Sequence, residues 1–491
     1  MINNSYIPII GLLTAVVLLI YLVLRTKVHP IIAMIAAACI AGLTGGLTGD
    51  KTIDAITKGF GSTLGSIGII IGLGVMMGRI LEVSGAAEKI AYAFITWLGK
   101  KREEWALAWT GYVVSIPIFA DSAFVILYPV GKALAKKGGR SILTLGISLA
   151  GGLVVTHTLV PPTPGPLAVA GIYGVDIGIM MIFGMVLAIP CIVGIVRYAQ
   201  WLDRKYPEGA DTDLQDDSLP KIQNTNGVGK TGNSPPSLTL SLLPIVIPIL
   251  LIFIRAIIHI APALPEEANP VITVIVGIFN FLGAPIIALS ISTLLAVYLL
   301  VPHLDRATTS ARLEEGLQSA GIILLVTGAG GALGAVVRES GAGALLAEQI
   351  TRLPLSPIMI PFIIATLIRL IQGSATVSCI TTASICAPIL LEIPDVNMLF
   401  AAQATTCGSF FFSYFNDSFF WVANRMMGIT NVKKQLIVWS VAICIPWAIG
   451  GTIIALLNLV FGAGGTLLDP LLPVGILGII FAIVKRKSGR R

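Results

Sequence analysis

The chain has 491 residues, of which 55% are hydrophobic and only 12% charged, with a mean hydropathy of +0.91. A soluble globular chain carries about 25% charged residues, so most of this surface must face lipid, and a soluble domain of ordinary size is excluded. The net charge of +7 sits largely in short basic clusters, which in a membrane chain orient loops rather than bind nucleic acid.

In chain order, the first apolar stretch, MINNSYIPIIGLLTAVVLLIYLVLR, has neither a basic leader nor a small-residue cleavage site. It reads as a retained first helix rather than a signal peptide. Arg25 and Lys27 after it, and Lys485, Arg486, Lys487, Arg490 and Arg491 at the other end, place both flanks in the cytoplasm. The segment from Gly65, GSIGIIIGLGVMMGRILEVSGAAEKIA, is rich in small residues that let helices pack closely in lipid.

Two interruptions follow in the first half. IPIFADSAFVILYP carries Asp121 and Ser122 inside an apolar run. A carboxylate at membrane depth must be protonated, paired or facing water, the conditions that suit it to carrying a proton. VVTHTLVPPTPGPLAVAG places Thr156 and His157 ahead of Pro161, Pro162, Pro164 and Pro166, which cannot continue a helix. Of the four histidines, His157 alone stands at a helix break among polar neighbours, as a proton carrier or as a cap of the helix end.

Residues 203–237, including DRKYPEGADTDLQDD and NTNGVGKTGNSPP, bury little and read as a disordered cytoplasmic linker. It separates an N-terminal membrane half, 1–202, from a C-terminal one, 238–491. Gly229-Lys230-Thr231 is no phosphate loop, because position 224 is Asn and no strand precedes it.

The second half repeats the first. GIILLVTGAGGALGAVVRESGAGALLA from Gly321 matches the Gly65 segment, with Gly65/Gly321, Gly72/Gly328, Gly74/Gly330, Gly78/Gly334 and Ser84/Ser340 each 256 positions apart. Ser122-Ala123-x-Val125 matches Ser374-Ala375-x-Val377, and GGLVVTH from Gly151 matches GSFFFSY from Gly408, in the same order. Duplicated halves with paired helix breaks are an architecture of secondary transporters, whose sites lie near mid-membrane at the repeat interface. The expected fold is an all-α integral membrane protein of about 12–14 helical segments, in two repeated halves with interrupted helices.

Two further interruptions lie in this half. LIRLIQGSATVSCITTAS offers Arg369, Gln372, Gly373, Ser374 and Thr376. A turn at Gln372–Ser374 followed by a helix would present free amides and the positive end of a helix dipole to a carboxylate. Arg369 can clamp that carboxylate or extend to the membrane interface. SFFFSYFNDSFFWVANR supplies Asn416 and Asp417, the latter to bind a hydroxyl or a cation or to cap a helix. The six cysteines stand singly in apolar context, as buried small residues. No His-Glu-x-x-His or comparable set suggests an intramembrane enzyme, and the duplication argues for a carrier over a channel.

At these segments the chain resembles the gluconate:proton symporter family, whose members carry gluconate, related sugar acids and, in one branch, D-serine. The resemblance rests on Thr156-His157 through Val160-Pro161-Pro162-Thr163-Pro164-Gly165-Pro166, on Arg369 with Gly373-Ser374-Ala375-Thr376-Val377, and on Ser413 through Trp421. Thr163, Tyr414 and Phe419 stand where the family motif has histidine, histidine and glycine. The resemblance implies inverted halves with re-entrant helices in a prokaryotic cell membrane protein, usually a homodimer; the expected mechanism is an alternating-access carrier with no cofactor, no metal and no enzyme activity. The resemblance also implies uptake of gluconate or a related sugar acid with protons. Alternatives are coupling to sodium, and another small acid or D-amino acid such as D-serine. Substrate would meet Ser122, Thr156, His157, Arg369, Gln372, Gly373, Ser374, Thr376, Asn416 and Asp417, with Asp121 or His157 carrying the proton.

Overall fold

A computed structural model describes residues 7–26, 28–98, 102–138, 141–205, 236–260, 270–414, 416–462 and 464–488. All but the edges of the expected linker lie outside these residues, as do the side chains of the basic clusters near 25–27 and 485–491. Every regular element among the described residues is a helix, as composition led us to expect. The first half runs α1 (Ile7–Arg25), α2 (Pro30–Thr44), α3 (Gly49–Val83), α4 (Ala86–Leu98), α5 (Glu103–Val114), α6 (Ala120–Gly138), α7 (Ile142–Leu159), α8 (Pro164–Tyr173) and α9 (Ile177–Lys205). The second runs α10 (Leu238–Ile260), α11 (Pro270–Leu282), α12 (Pro285–Leu300), α13 (Arg306–Glu339), α14 (Ala342–Ile350), α15 (Met359–Gln372), α16 (Ala375–Leu390), α17 (Met398–Gly408), α18 (Ser418–Met426), α19 (Val432–Gln435), α20 (Val441–Phe461) and α21 (Leu468–Ser488). A π-helical turn, Leu436–Ser440, joins α19 to α20. These pieces outnumber the expected segments, and one pair, α11 and α12, passes as a single broken span.

Six helical stretches are long and apolar enough to cross a membrane, or seven if α11 and α12, bent by 68° at their junction, form one span. Composition and length together make this a multi-pass membrane protein. Outward faces carry large apolar side chains such as Trp97, Val186, Val274, Phe281 and Val460. The centre is formed by α7, α16 and α17, whose residues are buried almost without exception.

Two pairs of long helices, one from each half, lie against each other. α3 and α13 run antiparallel, with Arg79 Nη2 2.6 Å from Glu315 Oε2 at one end and Gly59 against Gly331 at the other. Between these points Gly68 packs on Leu324, its own counterpart 256 positions on. α9 and α20 also cross antiparallel: the Tyr198 hydroxyl donates to Ile437 O at 2.7 Å, and Cys191 Sγ donates to Pro446 O at 3.7 Å. The α3–α13 seam depends on absent side chains. A Cβ on Gly59 would lie 2.5 Å from Ala335 Cβ and 2.6 Å from Gly331 O. One on Gly78 would run into the Pro117 carbonyl just before α6.

This seam separates two glycines of one helix. Gly59→Ala should lower stability by about 1–3 kcal/mol through overpacking. Gly61→Ala, which meets nothing within 4 Å, should be neutral or raise it by up to about 1 kcal/mol through helix propensity. Thermal unfolding in detergent reads both; equal effects would show that close packing is not what these glycines serve.

Candidate functional site

The site begins with the way α15 stops. Gly373 has φ +80 and donates its amide to Arg369 O at 3.0 Å. A Cβ there would collide with the Asn416 carbonyl, so only glycine fits. Ser374 then takes extended backbone, and its Oγ accepts the Val377 amide at 3.3 Å, capping α16. The carbonyls left at the end of α15 are met from the second break: Asn416 Nδ2 donates to Leu370 O at 3.0 Å and Ile371 O at 3.3 Å, and the Tyr414 hydroxyl donates to Leu370 O. Asp417 caps α18, its Oδ1 accepting the Phe419 amide at 3.1 Å.

In the first half, α7 ends at Leu159, and Thr163 Oγ1 lies 2.7 Å from His157 O and 2.6 Å from Val160 O, serving these carbonyls with its one proton. Pro164 and Pro166 fall in the first turn of α8, where a missing amide costs little. Asp121 stands in the first turn of α6. The His157 ring packs 5.5 Å from that of Phe119.

The four interruptions surround one cavity of about 280 Å³. Asp121 and His157 enter from the first half; Arg369, Gln372, Gly373, Ser374 and Thr376 enter from the α15–α16 break, and Asn416 and Asp417 from the loop before α18. Ser122 and Thr156 are not on its wall. Each neighbours a residue that is, and a step of one residue turns a helical side chain by about 100°. Thr158, Phe419 and Trp439 also line it, none anticipated as a site residue. Thr158 could have been found by pairing it with His157. Trp439 sits in an ordinary apolar run with no local signal.

Arg369 is 4% exposed, and its Nη2 lies 2.6 Å from Oδ2 of Asp417, itself 11% exposed. The same Oδ2 accepts from the Ser413 hydroxyl, whose oxygen accepts the Trp439 indole N–H at 2.9 Å. Arg369 Nε and Nη1, His157 Nδ1, Thr158 Oγ1 and Gln372 Oε1 are buried with no protein partner among the described residues. Buried polar atoms are normally satisfied, so this cluster offers two guanidinium donors and three further hydrogen-bonding groups to a polar solute. Asp121 has no ion-pair partner among the described residues. Arg255 lies off the cavity, 3.8 Å from Asp176.

The family model described as GntP family permease matches residues 7–460. The chain is 62% identical to an uncharacterized permease of Haemophilus influenzae, over 98% of both chains. It is 31% identical to a gluconate permease of Pseudomonas aeruginosa, over 93% of this chain and 99% of that one. Among solved structures it is similar to Neisseria gonorrhoeae MtrF, of a class of antimetabolite efflux pumps, with a TM-score of 0.58 and 15% identity, covering 91% of this chain and 99% of that one. That likeness concerns the fold.

The buried pair makes a prediction about stability. Asp417→Ala should cost about 3–5 kcal/mol, because it strands the Arg369 charge. Arg369→Met in the same background should recover most of that loss. Thermal unfolding of the two variants checks this; an Asp417→Ala protein as stable as the parent would show that Arg369 is solvated rather than held by the pair.

Proposed function

The chain belongs to the GntP family of permeases, and from that premise we propose that it takes up a small hydroxy-carboxylate, gluconate or a related sugar acid, with a proton across a bacterial inner membrane. The observation that carries this reading is the unpartnered Nε and Nη1 of the buried Arg369, on a cavity wall that also holds the start of α16. Guanidinium donors suit a carboxylate, and the end of a helix with free amides adds to the attraction. His157 Nδ1, Thr158 Oγ1 and Gln372 Oε1 would take the hydroxyls.

Charge balance supports the proton. Asp417 already neutralises Arg369, so the Asp121 carboxylate leaves the ionised site one unit negative. A monocarboxylate would make it two units negative, and like charges held close together repel. A proton on Asp121 removes that cost. Sodium is less well served, since both Asp417 oxygens already accept hydrogen bonds from Arg369, Ser413 and the Phe419 amide. The unpaired Asp121 favours one second reading: a zwitterionic amino acid such as D-serine, whose ammonium would meet this carboxylate. Transport would proceed by alternating access between inverted halves, a relation supported by the antiparallel meeting of the matched segments of α3 and α13 at Gly68–Leu324.

Reconstituted vesicles test this. An inward proton gradient should concentrate gluconate with or without sodium, and binding should tighten as pH falls, because the protonated form of Asp121 admits the anion. Arg369→Ala should weaken binding by about 2–4 kcal/mol, roughly 30- to 1,000-fold. Asp121→Asn should bind gluconate independently of pH and lose gradient-driven accumulation. Sodium dependence without pH dependence would overturn proton coupling, and unchanged binding in Arg369→Ala would remove the carboxylate clamp. D-serine binding that is lost in Asp121→Asn while gluconate fails to bind would favour the zwitterion.

A further inference from the structure

We propose that Ser413 and Trp439 are positioning residues that aim Arg369 through Asp417. The direction of each hydrogen bond follows from donor chemistry. An indole N–H can only donate, so at 2.9 Å from Trp439 Nε1 the Ser413 oxygen acts as acceptor. Its single proton is therefore committed to Asp417 Oδ2, the oxygen that also receives Arg369 Nη2. The other carboxylate oxygen holds the Phe419 amide. With both oxygens engaged, Asp417 cannot swing, and the guanidinium keeps Nε and Nη1 free at the cavity.

The π turn makes this arrangement possible. Successive residues of an α-helix point about 100° apart, and a π turn, wider and often found at functional sites, alters that spacing. Here Leu436–Ser440 brings two consecutive residues onto one: the Trp439 indole donates to Ser413 Oγ, and the Ser440 hydroxyl donates to the Ser413 carbonyl. Ser413 is thus held by backbone and side chain together. Trp439 also lines the cavity, its ring 5.1 Å from that of Phe419. Its N–H is spent on Ser413, so what it turns to the cavity is apolar while the bond holds Arg369 through Ser413 and Asp417. The assignment rests on the reading of Arg369 as the carboxylate clamp, but its geometry can be tested with no substrate present.

The test is the rate of phenylglyoxal modification of Arg369, mapped by peptide mass spectrometry on the full chain in lipid nanodiscs. Arg255, outside the cavity and 25% exposed, serves as the internal control. Ser413→Ala should speed modification of Arg369 about tenfold, the loss expected for one hydrogen bond to a charged group. Trp439→Phe, which keeps an aromatic ring at the position and loses the indole N–H, should speed it several-fold, and the double variant should react no faster than Ser413→Ala alone. Arg255 should not change. An unaltered Arg369 rate, effects that multiply in the double variant, or a parallel rise at Arg255 would each overturn the positioning role. D-gluconate binding in the same samples should weaken about tenfold in Ser413→Ala. A parent protein that binds no gluconate would count against the proposed substrate, leaving the Arg369 rates to decide the positioning.

Discussion

A backbone that leaves helical geometry inside a membrane must find partners in protein, because lipid offers none. That constraint organises this molecule. The carbonyls exposed where α15 stops are met by Asn416 and Tyr414 from the break before α18, and those exposed where α7 stops are met by Thr163 within its own break. The two breaks of the second half therefore cannot be placed independently. Closing one against the other sets Asn416 on Gly373, and with that contact Arg369 comes within reach of Asp417. The polar cavity is what remains between interruptions that have satisfied most of their own backbone.

The scaffold answers the opposite demand. Helices in lipid gain little from burying apolar area against one another, so close approach has to supply the attraction. In α3 and α13 the glycines at the seam bring backbones near enough to touch, and Gly331 faces Thr63 where a side chain would not fit. Near one end of the same seam Gly78 lets the turn at Pro117 settle on α3, which sets where α6 begins and so where Asp121 stands. Packing of small residues and placement of the charged group are in this respect one arrangement.

Much of the site was legible because its signals are local. Proline-rich and Gly-Ser breaks inside apolar runs announce themselves, and Asp121, His157, Arg369, Gln372, Gly373, Ser374, Thr376, Asn416 and Asp417 all reach the cavity. What was not legible depends on rotation and on distance. Ser122 and Thr156 share their segments with lining residues but point elsewhere, since one residue of phase cannot be read from composition. Trp439 reaches the site through a π turn, which has no sequence signature, and through a bond to a residue 26 positions away. Tyr414 shows a third limit. Its segment marks it as polar and near the site, yet its hydroxyl closes the end of α15 rather than lining the cavity.

The same charges bear on how a carrier could turn over. On the proposed coupling the empty site holds Arg369, Asp417 and an ionised Asp121, a net of one negative charge. The loaded site holds the same pair, a carboxylate and a protonated Asp121, and its net charge is again one negative. Both forms that must change their exposure then face the same electrostatic cost within the membrane. The half-loaded form, with substrate but no proton, carries an additional charge and is penalised by the low dielectric around it. Coupling in this scheme needs no separate gate. It follows from an arginine already neutralised by its own aspartate, sharing the cavity with a second carboxylate that has no ion-pair partner among the described residues.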